Sequence, residues 1–86
     1  MSYDYKQLET DLRELLGAMS CFSPSEVEEV EQFLEAGEYG LAFETFCGIA
    51  KEENKPVSNV LRPKVRALAH QMEIDPIWWT EIAKEE

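Results

Sequence analysis

Hydrophobic residues recur along this chain at the spacing of amphipathic helices. The first stripe consists of Tyr5, Leu8, Leu12, Leu15, Leu16 and Met19. The second consists of Val27, Val30, Phe33 and Leu34, and the third of Tyr39, Ala42, Phe43, Phe46, Ile49 and Ala50. Each stripe returns to one face of a helix with 3.6 residues per turn, and no alternating β-branched run competes with them. The pattern predicts an all-α protein.

Capping and turn residues mark where the second helix begins and where it ends before the third. Ser23, Pro24 and Glu26 have the order of a capping box with a proline in the first turn, which predicts the start of the second helix. Gly37 follows that stripe, where a residue in the left-handed conformation is expected. Because only a few residues join the two helices there, we predict an antiparallel helical hairpin.

Two further helices are predicted in the second half of the chain. Ser58 is a candidate N-cap for a fourth helix, and Pro63 either starts that helix at Arg62 or kinks it there. Asp75 and Pro76 repeat the cap-then-proline order. The stripe of the fourth helix is Leu61, Val65, Leu68, Ala69 and Met72, and the short last helix contains Ile77, Trp78, Trp79 and Ile82.

The predicted fold is a small bundle of four to five short helices with a central antiparallel hairpin. The first helix is expected to end near Met19 or Ser20, where Gly17 weakens its last turn. The 86 residues suffice for one compact core and leave no room for a second domain, so we predict a single domain spanning 1–86.

The net charge changes which partners are expected. The chain has 18 Asp and Glu against 8 Lys and Arg, a formal charge of -10. Such a surface repels the phosphate backbone of nucleic acids, whereas a basic protein complements it. Acidity that only keeps an abundant protein soluble remains the alternative explanation. No apolar run has the length of a membrane span, and the stretch from Met1 to Lys6 lacks the pattern of a signal peptide, so we expect a cytoplasmic protein.

The residue types of enzymes and metal sites are scarce. Cys21 and Cys47 are too far apart for a Cys-x-x-Cys pair and lack accompanying histidines. Cys47 lies among apolar residues and is expected to be buried. The single histidine, His70, is expected on an exposed helix face without a nucleophile pattern around it. We therefore expect no enzyme activity, no cofactor and no metal.

Acidic residues are concentrated between positions 26 and 38, where no basic residue occurs. Like charges three or four positions apart on a helix repel, so helix stability alone does not explain them. A basic partner would offset that repulsion. Trp78 and Trp79 point about 100° apart on a helix, so either one of them is partly exposed as a candidate interface anchor or both pack at the edge of the hairpin. The candidate binding residues are Glu28, Glu29, Glu31, Glu35, Glu38, Trp78 and Trp79.

Basic residues gather in the later part of the chain, at Lys55, Arg62, Lys64 and Arg66. Four cations in so acidic a protein do not form a convincing nucleic-acid site. We expect them to pair with groups of the same chain.

The run from Phe33 to Glu44, FLEAGEYGLAFE, has an apolar pair, an acidic residue, Ala-Gly-Glu, an aromatic residue and Leu-Ala in that order. In this order the central third of the chain resembles the MafI-type family of bacterial immunity proteins. Pro56-Val57 follows, and Met72, Ile74 and Asp75 are compatible with the family. The resemblance implies a small helical protein that neutralises a cognate secreted toxin domain, often a nuclease, of the polymorphic toxins used in contact-dependent growth inhibition. The glycine and aromatic residue of this run belong to the hairpin and identify no toxin-binding residues.

Combined, the acidic surface and the resemblance predict an immunity protein that covers the basic active-site surface of a toxin. Two alternatives remain open. A helical adaptor that binds a partner helix in a groove would look alike in sequence. An acyl or peptidyl carrier protein is also small, acidic and helical, but Ser23, Ser25 and Ser58 lack the Asp-Ser-Leu or Asp-Ser-Ile context of the modified serine.

Overall fold

A computed structural model of the chain describes residues 4–84. Within that range the chain forms α1 (Tyr5–Gly17), α2 (Pro24–Glu35), α3 (Tyr39–Glu52), α4 (Arg62–Gln71) and α5 (Pro76–Trp79). The prediction of a small all-α bundle is thereby confirmed. The predicted domain limits of 1–86 include residues 1–3 and 85–86, which lie outside the described residues.

The hairpin of α2 and α3 begins with the predicted capping box. The Ser23 hydroxyl accepts a hydrogen bond from the backbone N–H of Glu26 at 3.2 Å, and the Glu26 carboxylate accepts one from the N–H of Ser23 at 2.8 Å. Gly37 has a φ of 75°, which lets the chain turn into α3. The Lys55 ammonium, just beyond the end of α3, lies 3.4 Å from Glu26 at the start of α2, so the two helices run antiparallel.

α3 lies at the centre of the bundle and contacts α1, α2 and α5. Its inner face contributes more buried side chains than any other helix in residues 4–84. The ring of Phe46 lies 6.4 Å from that of Phe43 and 5.3 Å from that of Phe22, centroid to centroid. The buried residues of α3 are Ala42, Phe43, Phe46, Cys47, Ile49 and Ala50. Because one helix supplies so much of the core, its inner face fixes the position of the others.

α1 is shorter than the sequence predicted. It ends at Gly17 rather than near Met19 or Ser20, because the glycine weakens the last turn and the N–H of Ala18 closes the helix on Glu14 and Leu15. Met19 is nevertheless buried, since the chain turns there and the N–H of Phe22 donates to its carbonyl at 3.0 Å.

The predicted N-cap of α4 was wrong. The helix begins at Arg62 with Leu61 in the cap position, and no side chain caps it. Ser58 contributes its carbonyl instead, which accepts hydrogen bonds from the N–H groups of Leu61 and Arg62, both at 3.0 Å. Pro63 lies in the first turn, where no intrahelical donor is needed, so of the two possibilities the helix starts at Arg62.

α5 is also shorter than expected, because it ends at Trp79 and excludes Ile82. The Asp75 carboxylate caps it by accepting from the N–H of Ile77 at 3.0 Å, as its order with Pro76 predicted. Beyond the helix, the N–H groups of Ile82 and Ala83 both donate to the Trp79 carbonyl, which turns the chain so that Ala83 is buried. This short helix packs against α3 and α4.

Candidate functional site

An open groove of about 300 Å³ runs along the outer face of α3, between α2 and α5. We call it the acidic groove. Glu29 borders it from α2 and Trp78 from α5. The residues that α3 contributes are Leu41, Glu44, Thr45, Gly48, Ile49 and Glu52. These positions follow helical spacing, so they form one continuous stripe that points away from the core.

Apolar side chains form part of the groove lining. Leu41, which lay off the predicted core stripe of α3, is 46% exposed, and Trp78 is 37% exposed. Ile49 is nearly buried between them and joins the groove to the core. Partly exposed aromatic and aliphatic side chains in a concave surface are the usual anchors of protein interfaces.

The charged residues that line the groove all have one sign. Glu29, Glu44 and Glu52 line it, and none of its described lining residues is Lys or Arg. The nearest basic residue in the α3 sequence, Lys51, directs its ammonium to the carbonyl of Ile77 at 3.4 Å. The groove therefore presents apolar surface bordered by three carboxylates, which matches a partner with apolar and basic side chains.

Gly48 lies in the middle of the groove and in the interior of α3. Glycine there costs the helix about 1 kcal/mol relative to alanine. A Cβ atom added at Gly48 would meet nothing within 4 Å, so the packing of the described chain does not require the glycine. Gly48 is not among the residues with positive φ, so its backbone conformation does not require a glycine either.

The structure brings two of the candidate binding residues, Glu29 and Trp78, to the acidic groove. Glu28 lies beside it on the exposed surface of α2, in a shallow hollow shared with Ser25, Glu29 and Gln32. The sequence indicated Glu29 and Trp78 separately, each from its own helix, and the fold places them on two walls of one concave surface. Glu28 extends the negative surface away from the groove.

Glu31 and Glu35 lie on the flank of α2 that faces α1. Both are close enough to the guanidinium of Arg13 to contribute to its raised pKa, although the hydrogen bond to Glu9 is the larger cause. The predicted uniformly negative face of α2 is thus partly balanced by a cation from α1. These two glutamates do not line the acidic groove.

A hydrogen-bonded group of three side chains joins α1 to the start of α3. The Glu9 carboxylate accepts from the Arg13 Nε and from the Tyr39 hydroxyl, each at 2.9 Å. These bonds, that of Arg13 first, hold the pKa of Glu9 below its usual value, and the bond to Glu9 raises the pKa of Tyr39. The group connects α1 to the first residue of α3, just after the turn of the hairpin.

Glu38 and Trp79 have positions that favour structural roles. Glu38 is exposed in the turn before α3, where its N–H donates to the carbonyl of Phe33 at 2.9 Å. Trp79 is half-buried, and its indole N–H donates to the carbonyl of Ile74 at 3.3 Å. Its ring meets the His70 ring edge-on at 5.3 Å. Trp78 is the more exposed of the two tryptophans, which agrees with the possibility that one of them is partly exposed.

The basic residues of the second half of the chain bind groups of the same chain, as predicted. Lys55 donates to the carbonyl of Cys21 at 2.9 Å, and Lys64 lies 3.2 Å from the Glu14 carboxylate. Arg62 and Arg66 donate to the carbonyls of Val57 and Ala83 at 3.1 and 2.9 Å. The contact of Lys64 joins α4 to α1, that of Lys55 joins two loops, and those of the two arginines join α4 to the segments before and after it.

Cys47 and His70 have different surroundings in the fold. Cys47 is buried, and burial, with a smaller effect from Glu44, raises its pKa to about 12. His70 is exposed, as predicted, and packs against Trp79. Within the described range, no three His, Cys, Asp or Glu side chains form a group that could hold a metal ion.

Sequence reasoning did not select Leu41, Glu44, Thr45, Gly48 and Glu52 as candidate site residues. Their signal was present as a second stripe on α3, with members three, four and seven positions apart. That stripe mixes apolar, acidic and small residues, so it does not stand out beside the strongly apolar core stripe of the same helix. Only the placement of α2 and α5 on either side makes it a groove.

The fold and the groove define this protein as a small all-α bundle with an acidic, partly apolar groove on its surface. Comparisons with protein-family models, with curated proteins and with solved structures gave no match. Each helix in residues 4–84 is too short or too polar to cross a lipid bilayer.

Proposed function

We propose that this protein is a cytoplasmic immunity protein that binds and neutralises a basic toxin domain, most simply a nuclease. The acidic groove is the observation that supports this function. It combines the two properties that a tight binder of a basic protein needs, which are exposed apolar anchors and carboxylates of one sign around them. The resemblance of the central third to MafI-type immunity proteins supplies the toxin as the partner.

The proposed mechanism is occlusion of the toxin's active-site surface. A nuclease binds the phosphate backbone through Lys and Arg, and that surface attracts a protein with a net charge of -10. Glu29, Glu44 and Glu52 meet basic side chains of the toxin, while Trp78 and Leu41 bury apolar surface against it. Glu28 extends the negative surface and speeds encounter.

The test is co-expression with the product of the open reading frame immediately upstream. We expect that product to be toxic by itself, and this chain to suppress its toxicity and to elute with it as one complex in size-exclusion chromatography. A harmless neighbour, or a toxic neighbour that this chain neither binds nor suppresses, overturns the proposed function.

Matched charge reversals test whether the groove is the binding surface. Glu44→Lys is expected to weaken the complex by about tenfold or more, because it places a cation against the basic partner. Glu53→Lys is the control, since it makes the same change in net charge at the exposed C-cap residue that follows α3, outside the groove. Equal effects of the two reversals would show that general attraction, rather than the groove, accounts for binding.

A helical adaptor is the second candidate function, and the groove along α3 favours it too. Its partner would be an ordinary cellular protein rather than a toxin. The co-expression experiment distinguishes the two functions, because an adaptor leaves the toxicity of the upstream product unchanged. If the protein is an adaptor, we still expect a partner to bind in the groove, but that partner is not toxic.

A further inference from the structure

The outer face of α3 contains a helix-interior glycine that neither the backbone nor the packing of residues 4–84 requires. A Cβ at Gly48 meets open space, and its φ is not in the positive range. Glycine in a helix otherwise serves to let another backbone approach closely. The open space above Gly48, in the floor of the acidic groove, leaves room for a partner backbone to approach α3 closely.

The residues on either side of Gly48 describe the shape of that partner. From Leu41 to Glu52 the stripe spans about 16 Å along the helix axis, which is roughly three helical turns. A glycine at the centre of such a stripe lets a second helix pack at the short end of the usual axis separation of about 8 to 10 Å. Leu41 lies at one end of this stripe and Trp78 borders the groove from α5; both are partly exposed and would contact the apolar face of the partner helix.

The carboxylates of the groove indicate which charged residues that helix carries. Glu44 and Glu52 lie about 12 Å apart along α3, on either side of Gly48, and Glu29 faces them from α2. A helix lying in the groove places its flanking side chains beside these three carboxylates. Lys or Arg on both flanks therefore complements the groove, whereas Asp or Glu there would be repelled.

We propose that the acidic groove receives one amphipathic helix of the partner, with a small residue over Gly48 and basic residues on both flanks. This proposal rests on the proposed function, of which it identifies the recognised element. A second copy of the chain does not fit as the occupant, because two surfaces bordered by glutamates, on molecules that each carry a charge of -10, repel one another.

The first test uses a synthetic helix of about 18 residues, with alanine at the centre of a leucine stripe and lysine on both flanks. A second peptide has glutamate in place of every flanking lysine. Fluorescence anisotropy of the labelled peptides against the full chain is expected to show binding of the lysine peptide only. Binding of both peptides, or of neither, overturns the proposal.

Two glycine variants of α3 locate the binding surface. Gly48→Leu fills the centre of the groove, and Gly40→Leu is the matched control, because its added Cβ also meets open space but Gly40 does not line the groove. Thermal melts are expected to show both variants at least as stable as the natural chain. Gly48→Leu is expected to lower affinity for the lysine peptide about tenfold or more, while Gly40→Leu changes it less than about twofold.

The same two variants, tested with the upstream product, separate failure of this inference from failure of the proposed function. A toxin that is neutralised equally well by the natural chain and by Gly48→Leu overturns the groove proposal and leaves the immunity function standing. An upstream product that is not bound at all overturns the immunity function, and the peptide measurements then decide the groove alone. A self-dimer that Gly48→Leu abolishes would make a second copy the occupant and overturn the proposal.

Discussion

Individual acidic residues in this protein differ in what faces them. Glu9 is held between Arg13 and Tyr39, and Glu31 and Glu35 face the same arginine from α2. Such pairing neutralises part of the charge within the chain. The glutamates of the acidic groove instead line an open concave surface without Lys or Arg among its described lining residues. The second group is the one that a partner can use.

The two cysteines provide a prediction at this scale. Cys21 is exposed, whereas burial of Cys47 raises its pKa to about 12 and keeps its thiol protonated. A thiol-specific reagent at pH 8 is expected to modify one cysteine rapidly in the native protein and both in denaturant, as measured by absorbance. Cys21→Ser is expected to remove the rapid phase. A rapid phase that persists in Cys21→Ser would contradict the burial of Cys47.

At the scale of elements, the hairpin depends on its turn. Gly37 has a φ of 75°, and a Cβ there would meet nothing within 4 Å, so its backbone conformation alone favours glycine. The turn is closed by hydrogen bonds from the N–H of Gly37 to Leu34 and from that of Glu38 to Phe33, at 3.1 and 2.9 Å. These contacts fix how α3 leaves α2, and hence where the groove lies.

Gly37→Ala is expected to lower the free energy of unfolding by about 1 kcal/mol, because alanine is strained in the left-handed region. Gly17→Ala is the control at the last residue of α1, where the added methyl also meets open space but φ is not positive. It is expected to stabilise by about 0.5 kcal/mol. Urea denaturation checks both signs, and a Gly37→Ala variant as stable as the natural chain would contradict the conformational argument.

The sequence predicted those elements whose limits depend on local chemistry. Ser23, Glu26 and Gly37 act through neighbours within four positions, so their order alone indicated how α2 begins and ends. The predicted cap at Ser58 was wrong because local sequence shows only that a serine is able to cap a helix. Pro63 in the first turn allowed α4 to start later, at Arg62. The end of α5 depended on Ala83 being drawn into the core, which is a tertiary effect.

The candidate site was predicted only in part, since it is formed by contacts between distant segments. Glu29 and Trp78 were selected as an acidic residue and an exposed aromatic residue, each from its own helix. Nothing in the order of residues placed α5 beside α3 or turned Glu31 towards Arg13. Such relations depend on how the helices pack, which hydrophobic periodicity does not specify.

For the whole molecule, net repulsion and local pairing act in opposite directions as the pH falls. Protonation of carboxylates relieves the repulsion among groups with a net charge of -10, which favours the folded state in acid. The carboxylates that are hydrogen-bonded in the folded state act the other way. The pKa of Glu9 is lowered by Arg13 and Tyr39, and that of Glu26 by the backbone N–H of Ser23 and by Lys55.

A lowered pKa means that the folded state binds the proton less tightly than the unfolded state does. The contribution of Glu9 is therefore fully present above the usual glutamate value of 4.5 and is lost as the pH falls through the lower value of the folded state. Glu9→Gln is expected to be less stable than Glu28→Gln at pH 7, and equally stable well below pH 4.5. Urea denaturation of both variants across this range is the measurement, and a difference that does not change with pH would contradict it.

One face of α3 belongs to the core and the other lines the acidic groove. The sequences of the two faces can therefore change independently during evolution. The buried inner residues of α3 and the outer stripe from Leu41 to Glu52 share only Ile49. Positions 44, 45, 48 and 52 lie outside the buried core, so the sequence of the outer face can change while the residues that hold the bundle together are kept.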